Sequence, residues 1–331
     1  AGMAQWIGSG GLATLQLLIG WWLWQISYSL FYRLRWKKLF FIGFGLNLIV
    51  HFLGWSLLNE GVNESSKLVA IWQPDIPIRK KFSKDQIKQF PYSFQSAIDK
   101  AKKSGADFLI APEGSVMANQ ELLEPAPLKI LAGGFRWVNG TQRNSILFFD
   151  IGNKQFLDAI DKNRLVPLGE WVPNLPFISN IGLSAVGGIE KGPPSRIFSW
   201  KGPPLAASIC YELSNGKAIS KAVLEGAEWI LATANLDPYP FALQKQFLSL
   251  AQLRSIENSR EIITVANSGP SSFINSEGKI ETLLPPFQES FGLSMLHLKK
   301  EKTLYVRFGE APLIALFLIG LFGYYFCLIK D

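Results

Sequence analysis

Three long stretches without a charged residue constrain this chain more than any other feature of its sequence. They read "GLATLQLLIGWWLWQISYSLFY" at residues 11–32, "LFFIGFGLNLIVHFLGWSLL" at residues 39–58 and "APLIALFLIGLFGYYFCLI" at residues 311–329. Each has the length of about 20 apolar residues that is needed to cross a hydrocarbon core. The tryptophans and tyrosines near several of their ends are typical of interfacial anchors. We therefore expect three transmembrane helices, because buried helices of a water-soluble core are seldom this long without a charge.

Basic residues between the first two stretches predict the orientation of the chain. They lie in "RLRWKK" and are Arg33, Arg35, Lys37 and Lys38. The positive-inside rule puts this loop in the cytoplasm, so that residues 1–59 hold two spans, residues 60–310 form an extracytoplasmic domain and residues 311–331 form a C-terminal span. Because the sequence lacks an initial methionine and a basic segment before the first span, we expect a chain truncated at its N-terminus. A secretory signal peptide is the alternative for the first stretch, but a basic n-region is missing.

The region between the spans alternates short apolar runs with amphipathic segments. Runs bounded by turn residues, such as "ADFLIAPE", "NSILFFDIG", "LAASICYE" and "EWILATANLD", predict buried strands. Phe90, Phe94, Ile98 and Ala101 recur at helical spacing and predict a helix over residues 83–104, and "FALQKQFLSLAQLRSIENSR" predicts another. Strands separated by helices indicate an α/β domain in which helices cover the sheets.

Charge and composition exclude several classes of function. The net charge of +7 would suit nucleic acid, but the lysines and arginines are scattered rather than grouped with aromatic residues. A basic surface against anionic lipid headgroups explains the excess more simply. The two histidines, His51 and His297, lie far apart and provide no ligand cluster with the cysteines, so we expect neither a metal nor another cofactor.

Cys210 in "LAASICYEL" is the residue that most needs an explanation. Its only possible disulfide partner, Cys327, lies in the last apolar stretch, so Cys210 is expected to be a free thiol. Free cysteines are most often small core residues. However, Glu113 follows the apolar run "FLIAP" and Lys162 lies in the loop "DAIDKNRLVP", and chemistry in such sheets is found beyond the strand ends.

These three residue types together can perform acyl transfer through a thioester. The thiolate of a cysteine is the nucleophile, and a carboxylate within reach can remove the thiol proton as attack proceeds. A lysine ammonium can keep that carboxylate ionised and stabilise the oxyanion. No histidine is placed to serve as the base, which disfavours a Cys-His protease.

Three motifs, "APEGS", "DKNRLVPLGEWVP" and "SICYE", resemble the nitrilase, or carbon–nitrogen hydrolase, superfamily and within it the membrane branch of apolipoprotein N-acyltransferases. The resemblance covers about residues 68–298 and the flanking spans. It implies a nitrilase-like αββα sandwich flanked by transmembrane α-helices, with further N-terminal helices that this chain lacks. It also implies Glu113 as the general base, Lys162 as the oxyanion-stabilising ammonium and Cys210 as the nucleophile.

The same resemblance assigns supporting roles to residues beside these three. Glu170 matches a further glutamate of the family's site, and Tyr211 and Glu212 match the residues that follow its cysteine. Trp171, with the apolar loop after it, would form a lipid-facing rim, although ordinary core packing is an equal alternative for that loop.

The sequence departs from the family pattern after the strand that follows the cysteine. Relatives typically read Ser-Asn-Asp-Ala-Trp-Phe-Gly there, whereas this chain reads "ANLDPYP". Asn235 is retained as a substrate-binding candidate, but Leu236 and Pro238 replace the acid and the tryptophan. The departure leaves the acyl preference open.

By this resemblance, the protein would take an acyl chain from a phospholipid and hold it as a Cys thioester. It would then pass the chain to the α-amino group of the N-terminal diacylglyceryl-cysteine of an apolipoprotein, as a multi-pass protein of the bacterial inner membrane with its catalytic domain on the extracytoplasmic face. Two alternatives stay open from the residues alone. A membrane-tethered amidase or nitrilase would hydrolyse a small amide with the same three residues, and a catalytically silent membrane scaffold would retain only the fold.

Overall fold

Two six-stranded sheets form the centre of the structure. In the computed structural model, the described residues are 1–58, 65–77, 79, 83–167, 169, 170 and 188–330. The first sheet contains β1 (Ser65–Gln73), β2 (Phe108–Val116), β3 (Lys129–Val138), β4 (Thr141–Phe149), β5 (Asp158–Asp161) and β12 (Ser290–Leu298), in the order β12-β1-β2-β3-β4-β5. The second contains β6 (Ile197–Phe198), β7 (Leu205–Ile209), β8 (Trp229–Ala234), β9 (Ile262–Ala266), β10 (Ser272–Ile274) and β11 (Ile280–Leu283), in the order β11-β10-β9-β8-β7-β6.

The central strands of both sheets run parallel and the outer ones antiparallel. In the first sheet β1, β2 and β3 are parallel neighbours, and in the second β7, β8 and β9 are. Parallel strands are usually buried on both faces, which explains why their sequences are apolar at successive positions rather than alternating with polar residues. Ligands usually bind at the carboxyl ends of such strands, and Cys210 and Asn235 directly follow the carboxyl ends of β7 and β8.

Helices cover the outer faces of the sheets and flank the sandwich. They are α1 (Ala4–Phe31), α2 (Lys37–Ser56), α3 (Lys84–Lys103), α4 (Gly216–Leu224), α5 (Phe241–Asn258), α6 (Leu304–Phe308) and α7 (Ala311–Lys330), with a 3-10 turn at Cys210–Ser214. Helix α3 packs on the first sheet, and α4, α5 and α6 pack on the second. The order of layers is therefore helix, sheet, sheet, helix, as the α/β prediction requires.

Strand β2 contributes side chains to two hydrophobic clusters, one on each face of the first sheet. Phe108 and Ile110 belong to the cluster between the sheets, whereas Leu109 and Ala111 belong to the cluster beneath α3. All four are buried, because successive side chains of a strand point to opposite faces. The inter-sheet cluster fixes the distance between the two sheets and thus between the residues at their ends.

The predicted helix over residues 83–104 is confirmed as α3. The Ser83 side chain caps it by accepting the Gln86 backbone N–H at 3.3 Å, and it ends at Lys103. Its buried face includes Phe90 and Phe94, each of which contributes about 1.5–3 kcal/mol by burial.

The three apolar stretches fold as helices α1, α2 and α7. Among the described residues, α2 is the one helix long and apolar enough to cross a membrane by length and composition, and α7 contributes a shorter apolar segment, Ala311–Phe322. Helix α1 breaks at Gly8, whose φ is 63°. Lys37 and Lys38, predicted in the loop, instead open α2. One of the three predicted spans thus has support from length and composition, and the other two stay predictions.

Candidate active site

Glu113 lies in a bulge inside β2, which corrects the expectation that it follows the end of that strand. Pairing with β3 is regular up to Ala111 opposite Ala132 and resumes only at Val116 opposite Gly134. The bulge packs on β3 so closely that a Cβ on Gly133 would approach the Glu113 Cα to 2.5 Å. Bulges of this kind re-aim a side chain out of the regular strand pattern.

Three donors hold the Glu113 carboxylate, which is only 8% exposed. Its Oε1 accepts the Asn144 Nδ2–H at 2.6 Å and lies 3.3 Å from the Lys162 Nζ. Its Oε2 accepts the backbone N–H of Asn235 at 2.8 Å. Both oxygens are thereby fixed in place. Because the carboxylate is buried, a proton that it accepts is shielded from bulk water.

Lys162 directly follows β5 and is 1% exposed. Its Nζ donates to Glu170 Oε1 at 2.7 Å in addition to its contact with Glu113. Burial alone would lower the pKa of this lysine, but the negative charges of Glu113 and Glu170 and the hydrogen bond to Glu170 raise the pKa well above its usual value. Lys162 is therefore a permanent cation, suited to stabilising negative charge rather than to removing a proton.

Asn144 and Glu170 complete the charged cluster. Glu170 Oε1 also accepts from Asn144 Nδ2 at 3.3 Å, and its Oε2 accepts the Val166 backbone N–H at 2.9 Å. The Asn144 backbone oxygen accepts the Lys162 N–H at 2.7 Å. Asn144 could not be singled out from the sequence, because it is one of five successive polar residues, Thr141–Ser145, at the start of β4.

Cys210 is the first residue after β7 and opens the 3-10 turn. Its φ of 54° lies in the left-handed region, which is uncommon for a residue with a side chain. Such a backbone costs about 1–3 kcal/mol and is found mainly at functional sites. A strained turn that carries a nucleophile from a strand into a helix is a known device of hydrolytic enzymes.

The environment of Cys210 keeps its sulfur protonated. Burial, followed by the charge of Glu113, raises the pKa of the thiol to about 12, although Lys162 acts in the opposite direction. At neutral pH the resting group is therefore a thiol rather than a thiolate. Attack by this sulfur requires a base that takes the proton during the reaction.

Glu212 ties the cysteine turn to the lysine loop. This carboxylate is 3% exposed. It is held by the backbone N–H groups of Asn163 (2.7 Å) and Arg164 (3.1 Å) on Oε1, by that of Ile209 (3.0 Å) on Oε2, and by the Arg196 guanidinium at 3.3 Å. One side chain therefore sets the position of both segments, which supports a positioning role for it.

Two other predicted residues, Tyr211 and Asn235, differ in how the structure places them. Tyr211 is 41% exposed and stacks with the guanidinium of Arg164, 4.7 Å from its ring centroid. Asn235 contacts Glu113 through its backbone, and its side-chain Oδ1 accepts from Asn267 Nδ2 at 3.3 Å. Trp171 lies outside the described residues. The site therefore contains Asn235 as a support for the carboxylate.

An apolar cavity of about 420 Å³ adjoins the sulfur. Its wall includes Cys210 and the side chains of Leu213, Leu236, Leu243, Phe247 and Leu250. Leu236 is one of the two departures from the family pattern, so the replacement of the acid makes this wall more apolar. Within the described part of the chain, no group of three or more His, Cys, Asp and Glu side chains is placed to hold a metal ion.

Sequence comparison finds strong similarity to curated proteins, although no protein-family profile matches the chain. Two proteins named apolipoprotein N-acyltransferase, from two strains of Prochlorococcus marinus, are 51% and 50% identical over 321 and 323 residues, or 97% and 98% of this chain. One of the same name from Parasynechococcus marenigrum is 42% identical over 308 residues, or 93% of this chain. The chain spans 65% of the length of each of these relatives.

Comparison with solved structures identifies the fold. Nit3 of Saccharomyces cerevisiae, a member of branch 10 of the nitrilase superfamily, matches with a TM-score of 0.54 and 14% identity over 71% of this chain and 91% of Nit3. A mutant amidase of Nesterenkonia AN1, from the same superfamily, matches with a TM-score of 0.51 and 14% identity over 78% of this chain and 100% of the amidase. The prediction of a nitrilase-like α/β sandwich is thereby confirmed.

Proposed function

We propose that the chain is a member of the apolipoprotein N-acyltransferase family and an acyltransferase of lipoprotein biosynthesis, because about half of its residues are identical to those of two proteins with that name. It takes an acyl chain from a phospholipid, holds the chain as a thioester on Cys210 and passes it to the α-amino group of the N-terminal diacylglyceryl-cysteine of an apolipoprotein. Glu113 is the proposed general base, and Lys162 is the proposed oxyanion-stabilising cation.

One observation carries this proposal. Glu113 and Lys162 lie 3.3 Å apart, and the charges of both act on the Cys210 thiol, which forms part of the wall of an apolar cavity. Charged catalytic groups beside an apolar cavity suit a substrate with a hydrocarbon chain and a reactive carbonyl at its end.

The acylation step follows from the protonation states. The thiol loses its proton to Glu113 as the sulfur attacks the ester carbonyl carbon, because the raised pKa of Cys210 leaves little free thiolate. The Lys162 ammonium stabilises the oxyanion of the tetrahedral intermediate. When that intermediate collapses, the C–O bond breaks, and the protonated Glu113 returns its proton to the departing alcohol oxygen.

The transfer step uses the same groups in reverse. The acceptor amine attacks the thioester carbonyl carbon and gives its proton to Glu113. The C–S bond then breaks, and Glu113 returns the proton to the sulfur, which regenerates the thiol. Exclusion of water from the apolar cavity protects the thioester from hydrolysis between the two steps.

The proposal includes a membrane location for residues 1–59 and 311–331. Helix α2 has the length and composition of a span, and large apolar side chains such as Phe31, Trp55 and Phe317 are exposed on the flanking helices. Exposed apolar surface of this extent favours contact with lipid. We place the domain of residues 60–310 on the extracytoplasmic face of the bacterial inner membrane, where lipid donor and lipid-anchored acceptor reach the site laterally.

Mass spectrometry of the acyl-enzyme tests the proposal. Incubation of the protein with a phospholipid in detergent is expected to add one acyl chain, labile to hydroxylamine, to the peptide that bears Cys210. Addition of a peptide with an N-terminal diacylglyceryl-cysteine should discharge it as an amide. The Cys210→Ala variant should retain the fold and form no adduct.

The same experiment separates the competing functions. A tethered amidase would release ammonia from simple amides and pass no acyl chain to the peptide. A silent scaffold would form no adduct with any ester. If the wild-type protein gives no adduct on Cys210 with phospholipid, the thioester route is wrong.

A further inference from the structure

Arg164 is a neighbour of the apolar cavity, because its guanidinium contacts two residues of the cysteine turn that line it. Its NH1 donates to Ser214 Oγ at 3.2 Å, and its NH2 lies 3.5 Å from the Tyr211 hydroxyl. Tyr211 and Ser214 both line the same cavity as Cys210. The Arg164 backbone N–H is fixed by Glu212, so this arginine and the nucleophile share one support.

Arg164 differs from four other arginines of the domain in the partners of its guanidinium. Within the part of the chain that the structure describes, the contacts of its side chain go to two hydroxyls and one aromatic face, and none goes to a carboxylate. Four other arginines form ion pairs, in Arg136–Asp161, Arg143–Glu190, Arg196–Glu212 and Arg254–Glu257. Arg164 is thus an exposed cation without a carboxylate partner among these residues, and it contacts the turn that Cys210 opens.

The position of Arg164 suits an anion that accepts two hydrogen bonds from the guanidinium. A guanidinium has five N–H donors in a rigid plane, and its contacts with Ser214 and Tyr211 leave others free. Stacking on the Tyr211 ring holds the plane in one orientation. Bidentate recognition of a phosphate requires such a fixed fork, which a lysine does not provide.

We propose that Arg164 binds the phosphodiester of the acyl donor. In a glycerophospholipid, the glycerol joins the ester carbonyl to the phosphodiester, so one anion lies a short distance from the reacting carbon. A chain that fills the apolar cavity brings its ester to Cys210 and leaves the phosphodiester beside the cysteine turn, which Arg164 contacts. This inference rests on the proposed function and adds to it a site for the donor headgroup.

Acylation of Cys210 by two donors with the same chain tests the role of Arg164. The donors are dipalmitoyl-phosphatidylglycerol in mixed micelles and the uncharged p-nitrophenyl ester of palmitic acid, and the measurement is the rate of adduct formation. Arg164→Gln should slow acylation by the phospholipid about tenfold or more, the scale for loss of a hydrogen bond to a charged group. It should slow acylation by the neutral ester less than about twofold, because that donor has no phosphate.

Two further variants sharpen the comparison. Arg164→Lys keeps the charge but loses the planar fork, so its rate with phospholipid should lie between those of the wild type and Arg164→Gln. Arg307→Gln is the matched control, because Arg307 is also exposed but lies on α6, whereas Arg164 contacts Ser214 and Tyr211 of the cavity wall. It should leave both rates unchanged.

Specific outcomes overturn the inference. Equal slowing with both donors would mean that Arg164 supports the cysteine turn rather than binding phosphate, and an unchanged phospholipid rate would mean that it does neither. If Arg164→Gln leaves the rate with phospholipid unchanged but removes inhibition by inorganic phosphate, the arginine binds a free anion rather than the donor. If the wild type forms no adduct with phospholipid, the proposed function itself fails, whereas a wild-type adduct with an unaffected Arg164→Gln variant removes only this inference.

Discussion

The Glu113→Gln substitution should change the reactivity of Cys210 and the transfer activity in opposite directions. With a pKa of about 12 for Cys210, the thiolate fraction at pH 8 is about 10⁻⁴, compared with roughly one quarter for an ordinary thiol. Alkylation by iodoacetamide, which consumes the thiolate, should therefore be slow in the wild type and rise about tenfold with each pH unit between pH 7 and pH 10.

Removal of the Glu113 charge should lower the pKa of Cys210, because that charge is one of the causes of its raised value. Alkylation at pH 8 should then increase by at least about tenfold. Acyl transfer should fall at least about 10²-fold, since the glutamine cannot accept the thiol proton. A catalytic defect caused by general damage to the nucleophile would lower both rates.

Unfolding would also expose the sulfur, so the assay needs a structural control. Both carboxylate oxygens of Glu113 accept hydrogen bonds, so the NH2 group of a glutamine would meet either the Asn235 N–H or the donors Asn144 and Lys162. This conflict should cost about 1–3 kcal/mol. The melting temperature is therefore measured alongside the alkylation rate, and the rate in urea sets its upper limit. Alkylation that stays unchanged or falls in folded Glu113→Gln would refute the reasoning, as would a wild-type rate that reaches a plateau below pH 9.

Two further substitutions test the groups around this pair. Lys162→Met should lower acyl transfer at least about 10²-fold and slow the alkylation of Cys210, because the ammonium lowers the pKa of the thiol; faster alkylation of the folded variant would contradict this. Glu212→Gln should lower the free energy of unfolding by about 3–5 kcal/mol, because the buried Arg196 loses its counter-ion. In denaturant titrations, the exposed Glu190→Gln should stay within about 0.5 kcal/mol of the wild type, and a similarly small loss for Glu212→Gln would contradict the positioning role.

Local patterns in the sequence were sufficient to predict the layers of the fold. The 3.6-residue spacing of Phe90, Phe94, Ile98 and Ala101 predicted α3, whose buried face contains all four residues. Uniformly apolar runs predicted β2, β4, β7 and β8, because parallel or central strands are buried on both faces. Apolar length predicted three spans; among the described residues, α2 satisfies the criteria of length and composition, and the other two stay predictions.

Contacts between distant segments were not accessible to that reasoning. Asn144 donates to Glu113 across 31 positions of the chain, and Glu212 accepts from Asn163 across 49. Such contacts depend on strand register and on the bulge in β2, which shift every side chain if they move by one residue. Motif resemblance supplied Glu113, Lys162, Cys210 and Glu212, but it could not indicate Asn144, which lies in an ordinary strand sequence.

Backbone N–H groups hold the two buried carboxylates of the site, so the position of the backbone matters as much as that of the side chains. Glu113 depends on the Asn235 N–H, and Glu212 depends on the N–H groups of Asn163, Arg164 and Ile209. Backbone donors cannot be removed by a side-chain substitution, so the two carboxylates keep their partners as long as β7, β8 and the loop after β5 keep their positions. A substitution outside the carboxylates, as at Leu236, can therefore alter the wall of the cavity while leaving the geometry around Cys210 intact.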